Sequence, residues 1–434
     1  MTDTIAALAS GTGKAGVAIV RLSGTQVRFV LETIAGGVPD ARKAVRRTLR
    51  RCDEAIDEAL VLFFAGPASF TGEDVAEFHV HGGRAIVHDL LDTLTRFSGV
   101  RLAERGEFTR RAVANGKFDL TAAEAVADLV EAETASQRRQ ALRQAGGALE
   151  KAALAWRAEL VRCLALMEAE IDFPDEEDVP ALRDAVRQRV IALLGDVRSA
   201  LAGAGRGERL REGAIIVVAG PPNAGKSTLV NALARRDVAI VSPIAGTTRD
   251  TIEVHLDLDG YAVTLIDTAG LRETVDPIES IGVARALERA ERADLVLWLS
   301  ANDAASPPPA FTAPVLHVTT KADLAEKRAS APGELMVSAR TGAGLDALMM
   351  HLSEAARSAL EGGEGALVTR ARHRQEIEAV AAHCQTVATA ADYVPIELLA
   401  EDLRLAVRAI GRLTGQVDID EVYDLIFREF CIGK

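Results

Sequence analysis

Ile215-Ile216-Val217-Val218-Ala219-Gly220-Pro221-Pro222-Asn223-Ala224-Gly225-Lys226-Ser227-Thr228 runs from an apolar, β-branched segment through a glycine-bounded turn into the start of a helix. The spacing G-x-x-x-x-G-K-S between a strand and a helix reads as a phosphate-binding loop. Glycines let the backbone curl until its N–H groups and the helix N-terminus face phosphate oxygens. Lys226 then supplies charge at the β and γ phosphates, and the Ser227 hydroxyl is a ligand for Mg²⁺.

Further loops follow in order. Ser242-Pro243-Ile244-Ala245-Gly246-Thr247-Thr248 lies in an expected loop, where Thr248 can complete the Mg²⁺ shell. Asp267-Thr268-Ala269-Gly270 closes a strand expected over 262–266; Asp267 can hold the metal through water, and the Gly270 amide can meet the γ phosphate. Thr320-Lys321-Ala322-Asp323 follows a strand expected over 315–319, and Ser338-Ala339-Arg340 follows one over 335–337. The Asp323 carboxylate can accept from N1–H and the 2-amino group of guanine, which adenine cannot match, so the ligand is GTP. Two positions depart from the usual GTPase pattern. Thr320 stands where an asparagine is usual and is expected to leave the base loop untied from the phosphate loop, weakening affinity. Leu271 stands where a water-orienting glutamine is found in Ras-like enzymes, which leaves Arg272, Glu273 and Glu279 as nearby polar candidates.

The rest of the chain bounds this reading. At 434 residues it is too long for one ordinary core. Hydrophobic residues make up 48% and aromatics only 4%, an alanine-rich balance that favours helix beside a smaller α/β part. No apolar run approaches the roughly 18 residues of a membrane span, so a cytoplasmic protein without membrane contact is expected. Cys52, Cys163, Cys384 and Cys431 show no metal-ligand spacing. A net charge of −13 argues against coating nucleic acid by bulk charge, leaving local patches such as Arg42, Lys43, Arg46, Arg47, Arg50 and Arg51, which more often form a solvated face.

Residues 1–118 alternate β-like runs (17–22, 59–64, 75–79) with helical patterns, as in an α+β domain. A long helical pattern covers about 121–170, a second helix 181–202, and a Gly/Arg hinge 203–213. Alternating strands and helices then occupy 213–357, and 358–434 is again helical. An inserted phosphate-loop GTPase domain between two parts of one helical domain (119–212 and 358–434) is the economical division.

The motifs together resemble the MnmE (TrmE) family. The resemblance is carried by Gly225-Lys226-Ser227 with Asn223, Gly246-Thr247-Thr248-Arg249-Asp250, Asp267 to Arg272 and the terminal Cys431-Ile432-Gly433-Lys434. In the first domain it rests on Arg21-Leu22-Ser23-Gly24, Ser69-Phe70-Thr71-Gly72-Glu73-Asp74, Gly106-Glu107-Phe108-Thr109 and Asn115-Gly116-Lys117. The resemblance implies a homodimeric, potassium-activated GTPase that acts with an MnmG-type flavoprotein, as a heterotetramer, on carbon 5 of the tRNA wobble uridine. It further implies a one-carbon donor such as 5-formyltetrahydrofolate at Arg21, Glu77, Lys117 and Lys434, with Cys431 a functional residue. Asn223, Ser242, Ile244 and Thr247 would hold K⁺, and Glu279 would orient water. The alternative class is a regulatory GTP switch whose first domain only recruits a partner; tetrahydrofolate binding by residues 1–118 separates the two. A folate-dependent transferase with incidental GTP control would need no flavoprotein.

Overall fold

In the computed structural model, residues 3–172, 179–221, 223–236, 238–240, 253–267, 293–301, 308, 310–324, 335–417, 426–427, 430 and 433 are described. Contacts divide the chain into two units, residues 1–127 with 410–434, and residues 128–409.

The first unit is built on strands β1 (Thr4–Leu8), β2 (Ala15–Ser23), β3 (Val45–Arg51), β4 (Glu54–Phe64), β5 (Val75–Gly82) and β6 (Val100–Leu102). Helix α1 (Val27–Ala35) follows β2, α2 (Arg84–Thr95) follows β5, and α3 (Glu107–Ala114) follows β6. The sheet order is β3-β4-β5-β2-β1-β6, antiparallel except for the β1–β6 pair. Alternation decides the faces. Val20, Leu22, Phe78 and Val80 point into a core shared with Val30, Leu31, Leu90 and Leu94 of α1 and α2. Arg21 and Glu77, one residue out of phase, lie on the opposite face with Ile5, Ala7 and Phe108.

The strands expected over 17–22 and 75–79 are longer than the apolar runs that revealed them, and β1, β3 and β6 were not foreseen. β3 escaped notice because it is the basic run. It is an edge strand, and several cations in and before it are matched locally: Lys43 with Asp40 at 2.8 Å, Arg46 with Glu58, and Arg51 with Asp92 at 3.3 Å. Charge on an exposed edge also discourages pairing with another chain.

α4 (Leu120–Glu131) leads from the first unit into the second, where α5 (Ala135–Ala145) and α6 (Ala148–Asp172) follow. The single helical run expected over 121–170 is therefore three helices. Thr134 caps α5 in a reciprocal box with Gln137, and Gly146 and Gly147 separate α5 from α6. α7 (Val179–Ala202) packs against α6. The expected hinge at 203–213 is instead helix α8 (Ala204–Glu212), ended at Gly213. Gly207 in α8 touches the strand-like segment 366–368 so closely that a Cβ there would lie 2.1 Å from the Val368 carbonyl oxygen. A packing requirement, not flexibility, explains that glycine.

The nucleotide part of this unit is a six-stranded sheet of order β12-β11-β10-β7-β9-β8. Its strands are β7 (Ala214–Ala219), β8 (Glu253–Leu258), β9 (Tyr261–Asp267), β10 (Leu295–Ala301), β11 (Val315–Thr320) and β12 (Leu335–Met336). All neighbours are parallel except β8 with β9. Helices α9 (Lys226–Ala234) and α10 (Leu345–Leu360) cover it, with Leu229, Leu233, Leu348 and Leu352 in a core with Ile216, Val218, Leu265 and Leu297. After β7 the chain goes to β8 and β9 on one side and to β10, β11 and β12 on the other. A ligand crevice belongs at such a reversal, beyond the carboxyl ends of the strands. Helices α11 (Ala371–Thr389) and α12 (Ile396–Thr414) complete the described elements, and α11 packs against α7. The expected helix from 371 to about 430 is thus broken between Thr389 and Ile396.

Candidate functional site

The phosphate loop starts where β7 ends. Gly220 has φ +151°, and a Cβ there would lie 2.3 Å from the Leu299 carbonyl oxygen of β10, so no side chain fits. Asn223 turns the chain at φ +63°, a region asparagine tolerates. Gly225, at φ +86°, caps α9, so Lys226, Ser227 and Thr228 form that helix's first turn. The Lys226 ammonium donates to the carbonyls of Gly220 at 2.8 Å and Pro221 at 3.0 Å. Burial pulls its pKa below the ordinary lysine value, and the charge of Asp267 acts against that. Asp267 is 1% exposed at the carboxyl end of β9, paired in register with Val218 of β7. The Ser227 hydroxyl and the Asp267 carboxylate are hard oxygen donors, a set that fits Mg²⁺.

The base-reading loops come from the two strands beyond β10. Asp323 sits in a short 3₁₀ turn after β11, and its Oδ1 accepts from Ser338 Oγ at 2.6 Å. That bond, more than any other contact, holds the Asp323 carboxyl below the usual aspartate range. Ser338 is fully buried, fixed by its own backbone: its N–H donates to Ala343 and its carbonyl accepts from Gly342. Lys321 takes a positive φ of 60°, and Ala339 and exposed Arg340 continue the Ser338 loop. The side chain of Asp323 is thereby exposed and oriented at once.

Thr320 corrects an expectation. Its hydroxyl donates to the Ala224 carbonyl of the phosphate loop at 2.6 Å, in a site only 4% exposed. The two loops are tied together, by a hydroxyl where an amide was thought necessary. Sequence reasoning missed this because the acceptor is a backbone carbonyl, which carries no residue signature.

On the outer face of the first sheet, Arg21 and Glu77 are cross-strand partners. Arg21 Nε and Nη2 donate to Glu77 Oε1 at 3.0 and 2.9 Å. The guanidinium lies 5.6 Å from the Phe70 ring centre and 5.7 Å from that of Phe108. Phe70 also faces Phe118, the residue after Lys117. Lys117 Nζ donates to the Pro67 carbonyl at 2.8 Å. Gly433 packs on β1, where a Cβ would lie 2.2 Å from the Leu8 carbonyl oxygen; Leu8 neighbours Ala7, which pairs with Arg21. The structure thus brings Arg21, Glu77 and the loop carrying Lys117 to one region.

Beneath this face lies an ion cluster that sequence reasoning did not single out. Arg111 donates to Glu73, Glu107 and Asp3, and Arg101 donates to Glu107 and Asp3. Arg111 and Glu107 side chains are fully buried. Burial alone would raise the Glu107 pKa, but Arg101, the Glu104 amide and Arg111 overcome it and hold the carboxyl below its ordinary value. Glu73 also accepts from Ser23, so the Ser69–Asp74 segment is anchored from below.

Ser242, Pro243, Ile244, Ala245, Gly246, Thr247, Thr248, Thr268, Ala269, Gly270, Glu279, Cys431 and Lys434 lie outside the described residues. Among the described residues no group of three or more His, Cys, Asp or Glu could hold a metal ion, and no helix is long and apolar enough to cross a membrane.

A phosphate loop on β7, a carboxylate on β9 and an oriented aspartate beyond β11 define a phosphate-loop nucleotide-binding protein of the guanine-reading kind. The MnmE helical domain family matches residues 120–431, and the family described as GTP-binding protein TrmE N-terminus matches 4–117. A protein of Beijerinckia indica named tRNA modification GTPase MnmE is 54% identical over 100% of this chain and 96% of its own length. Proteins of the same name from Methylobacterium radiotolerans and Rhodospirillum rubrum are each 52% identical, over 100% of this chain and 99% of their own lengths. The chain belongs to the MnmE (TrmE) family. The G domain of the T. maritima FeoB iron transporter aligns with 33% of this chain and 98% of its own at 24% identity and a TM-score of 0.24; the fold assignment rests on strand order instead.

Proposed function

We propose that this protein is a cytoplasmic GTP hydrolase of tRNA modification, acting as a homodimer with an MnmG-type flavoprotein on carbon 5 of the wobble uridine. The observation that carries the nucleotide half is the Ser338–Asp323 hydrogen bond on the same sheet edge as the phosphate loop. It presents a carboxylate of fixed direction to the N1–H and 2-amino donors of guanine, while Lys226 and the amides around Gly225 receive the phosphates. Ser227 and Asp267, with Thr248, would hold Mg²⁺; K⁺ would lie by Asn223, Ser242, Ile244 and Thr247. These cations neutralise charge on the phosphate oxygens when bound. Glu279 is assigned to orient the attacking water. GTP hydrolysis, in this reading, is coupled to pairing of the nucleotide domains, with the division at 1–118, 119–212, 213–357 and 358–434.

The folate half is supported by Arg21, paired with Glu77 and set against Phe70 and Phe108, with the Lys117 loop in the same region. Aromatic rings suit a flat pterin, Glu77 can accept from its amino group, and the cations suit its carboxylates. Lys434 and Cys431 complete the proposal, and the approach of Gly433 to Leu8 supports it. The test combines GTP turnover in K⁺ and in Na⁺ with nucleoside analysis of tRNA from a deletion strain. Much faster turnover in K⁺ and loss of the wobble-uridine modification are expected. Equal rates would reject the cation assignment, and normal tRNA would reject the substrate.

A further inference from the structure

Helix α5 meets the nucleotide part of its unit through polar groups. Gln137, Gln140 and Gln144 recur at helical spacing along one face. The Gln137 amide donates to the Arg211 carbonyl at 3.0 Å, near the end of α8, where the chain enters β7. Gln140 donates to the carbonyls of Gly207 and Gly363, both at 3.0 Å. Gln144 donates to Leu367 at 2.8 Å and Ala366 at 3.2 Å, so the same face also holds the segment by which the chain leaves. At the start of α5, the Ser136 N–H has no acceptor within its own helix and donates to the Gly260 carbonyl at 3.2 Å. Asp259 and Gly260, both at positive φ, make the tight turn between β8 and β9. Beside it, His255 of β8 lies 3.4 Å from Glu133.

These contacts can be remade without opening a core. Among the described residues, none from α5 belongs to the apolar core of the nucleotide sheet. The junction is held instead by hydrogen bonds, each contributing about 0.5–1.5 kcal/mol net. A polar cavity of about 40 Å³, lined by Asp128, Glu131, Ala132, Gln137, Gln140 and Arg211, lies there too. It has room for water to take up a bond that is released. From this junction β9 runs from Tyr261 to Asp267, the buried carboxylate whose charge acts on Lys226 in the phosphate site. A rigid element of this kind carries a displacement at one end to the other.

We infer that α5 is the joint between the nucleotide site and the helices around it. The β8–β9 hairpin is its lever, and the contacts of the turn with Ser136 and Glu133 differ between the GDP and GTP complexes. The inference rests on the proposed GTP site and assigns its regulation. Coupling is reciprocal, so loosening the joint must change how the site ranks GDP against GTP.

The experiment uses the full-length protein with Mg²⁺ and either GDP or guanylyl imidodiphosphate, a GTP analogue that is not hydrolysed. Amide hydrogen exchange in residues 133–147 is expected to differ several-fold between the two complexes. Two variants lie outside the nucleotide site: Glu133→Gln combined with His255→Gln, and Gln140→Met. Each is expected to shift the ratio of analogue to GDP affinity by about fivefold or more, the low end of measured couplings, and to shrink the exchange difference in α5. Equal exchange of α5 in the two wild-type complexes overturns the inference. So does a ratio unchanged within about twofold in both folded variants, even where affinity for the two nucleotides falls together, as loss of stability alone would cause. Wild-type protein that binds ATP as tightly as the guanine nucleotides overturns the GTP reading itself.

Discussion

Asp323 and Ser338 divide one task between them. The serine hydroxyl fixes the direction of the carboxylate and lowers its pKa, so Asp323 takes up its proton at lower pH than an ordinary aspartate. Ser338→Ala is expected to lower GTP affinity by about three- to tenfold, the size of an ordinary hydrogen bond, because the exposed carboxylate loses its fixed direction. In that variant the loss of affinity on acidification should also begin at higher pH, because the unassisted carboxyl protonates sooner. Asp323→Asn should shift preference from GTP towards XTP in competition binding; an unchanged preference would remove Asp323 from base recognition. At this scale the sequence was informative wherever a side chain meets a ligand, since type and spacing of Lys226, Asp267 and Asp323 carry the chemistry. It was silent where a side chain meets backbone. The Thr320–Ala224 bond and the Ser338–Asp323 pairing depend on how two loops are brought together, which no spacing along the chain encodes.

Helix α8 shows how composition misleads about elements. Gly203, Gly205, Gly207 and Gly213 with interspersed arginines look like a flexible connector, because glycine lowers helix propensity by about 1 kcal/mol per residue. Tertiary contacts override that preference. Gly207 is needed because the Val368 carbonyl and Ala366 lie against it, and Gln140 donates to the carbonyls of both Gly207 and Gly363. Gly207→Ala is therefore expected to destabilise the protein by about 1–3 kcal/mol through overpacking, despite the better helix former. A raised midpoint in thermal unfolding would show that propensity governs there after all. β3 is the complementary case: a strand concealed by six basic residues in and before it, legible only once β4 is seen beside it. β7 was legible because burial on both faces leaves an unbroken hydrophobic run, and β9 and β11 because motif loops follow their ends.

Among the described residues, each unit holds a largely buried polar assembly that ties distant segments together. In the first it is the Arg111–Glu107–Glu73–Asp3–Arg101 cluster. Arg111→Met should cost about 3–5 kcal/mol, since it removes the cation paired with Glu73 and one of the two on buried Glu107. The carboxyl of Glu107 is held below its unfolded value, so its stabilisation is present above the ordinary glutamate range and lost as pH falls through its lower folded value. Wild-type unfolding should steepen in that acid window, and Arg111→Met should be less stable already at neutral pH; equal neutral stability would show that the cluster is dispensable. In the second unit it is Asp128, whose Oδ1 receives Arg211 Nε at 2.7 Å and Arg370 Nη2 at 2.6 Å.

Those two arginines stand just before the chain enters the β7–β12 sheet and just after it has left, and Gly363 lies against the backbone of Arg206. Entry and exit are neighbours. This has a kinetic meaning. Before the sheet forms, pairing α7 with α11 requires closure of a very long loop of disordered chain, at an entropic cost that grows with the logarithm of its length, about 0.6 kcal/mol per doubling. Once the sheet has formed, its own fold holds the two ends together and the remaining loop is short. A formed nucleotide-binding part thus lowers the closure cost of pairing the helices on either side of it.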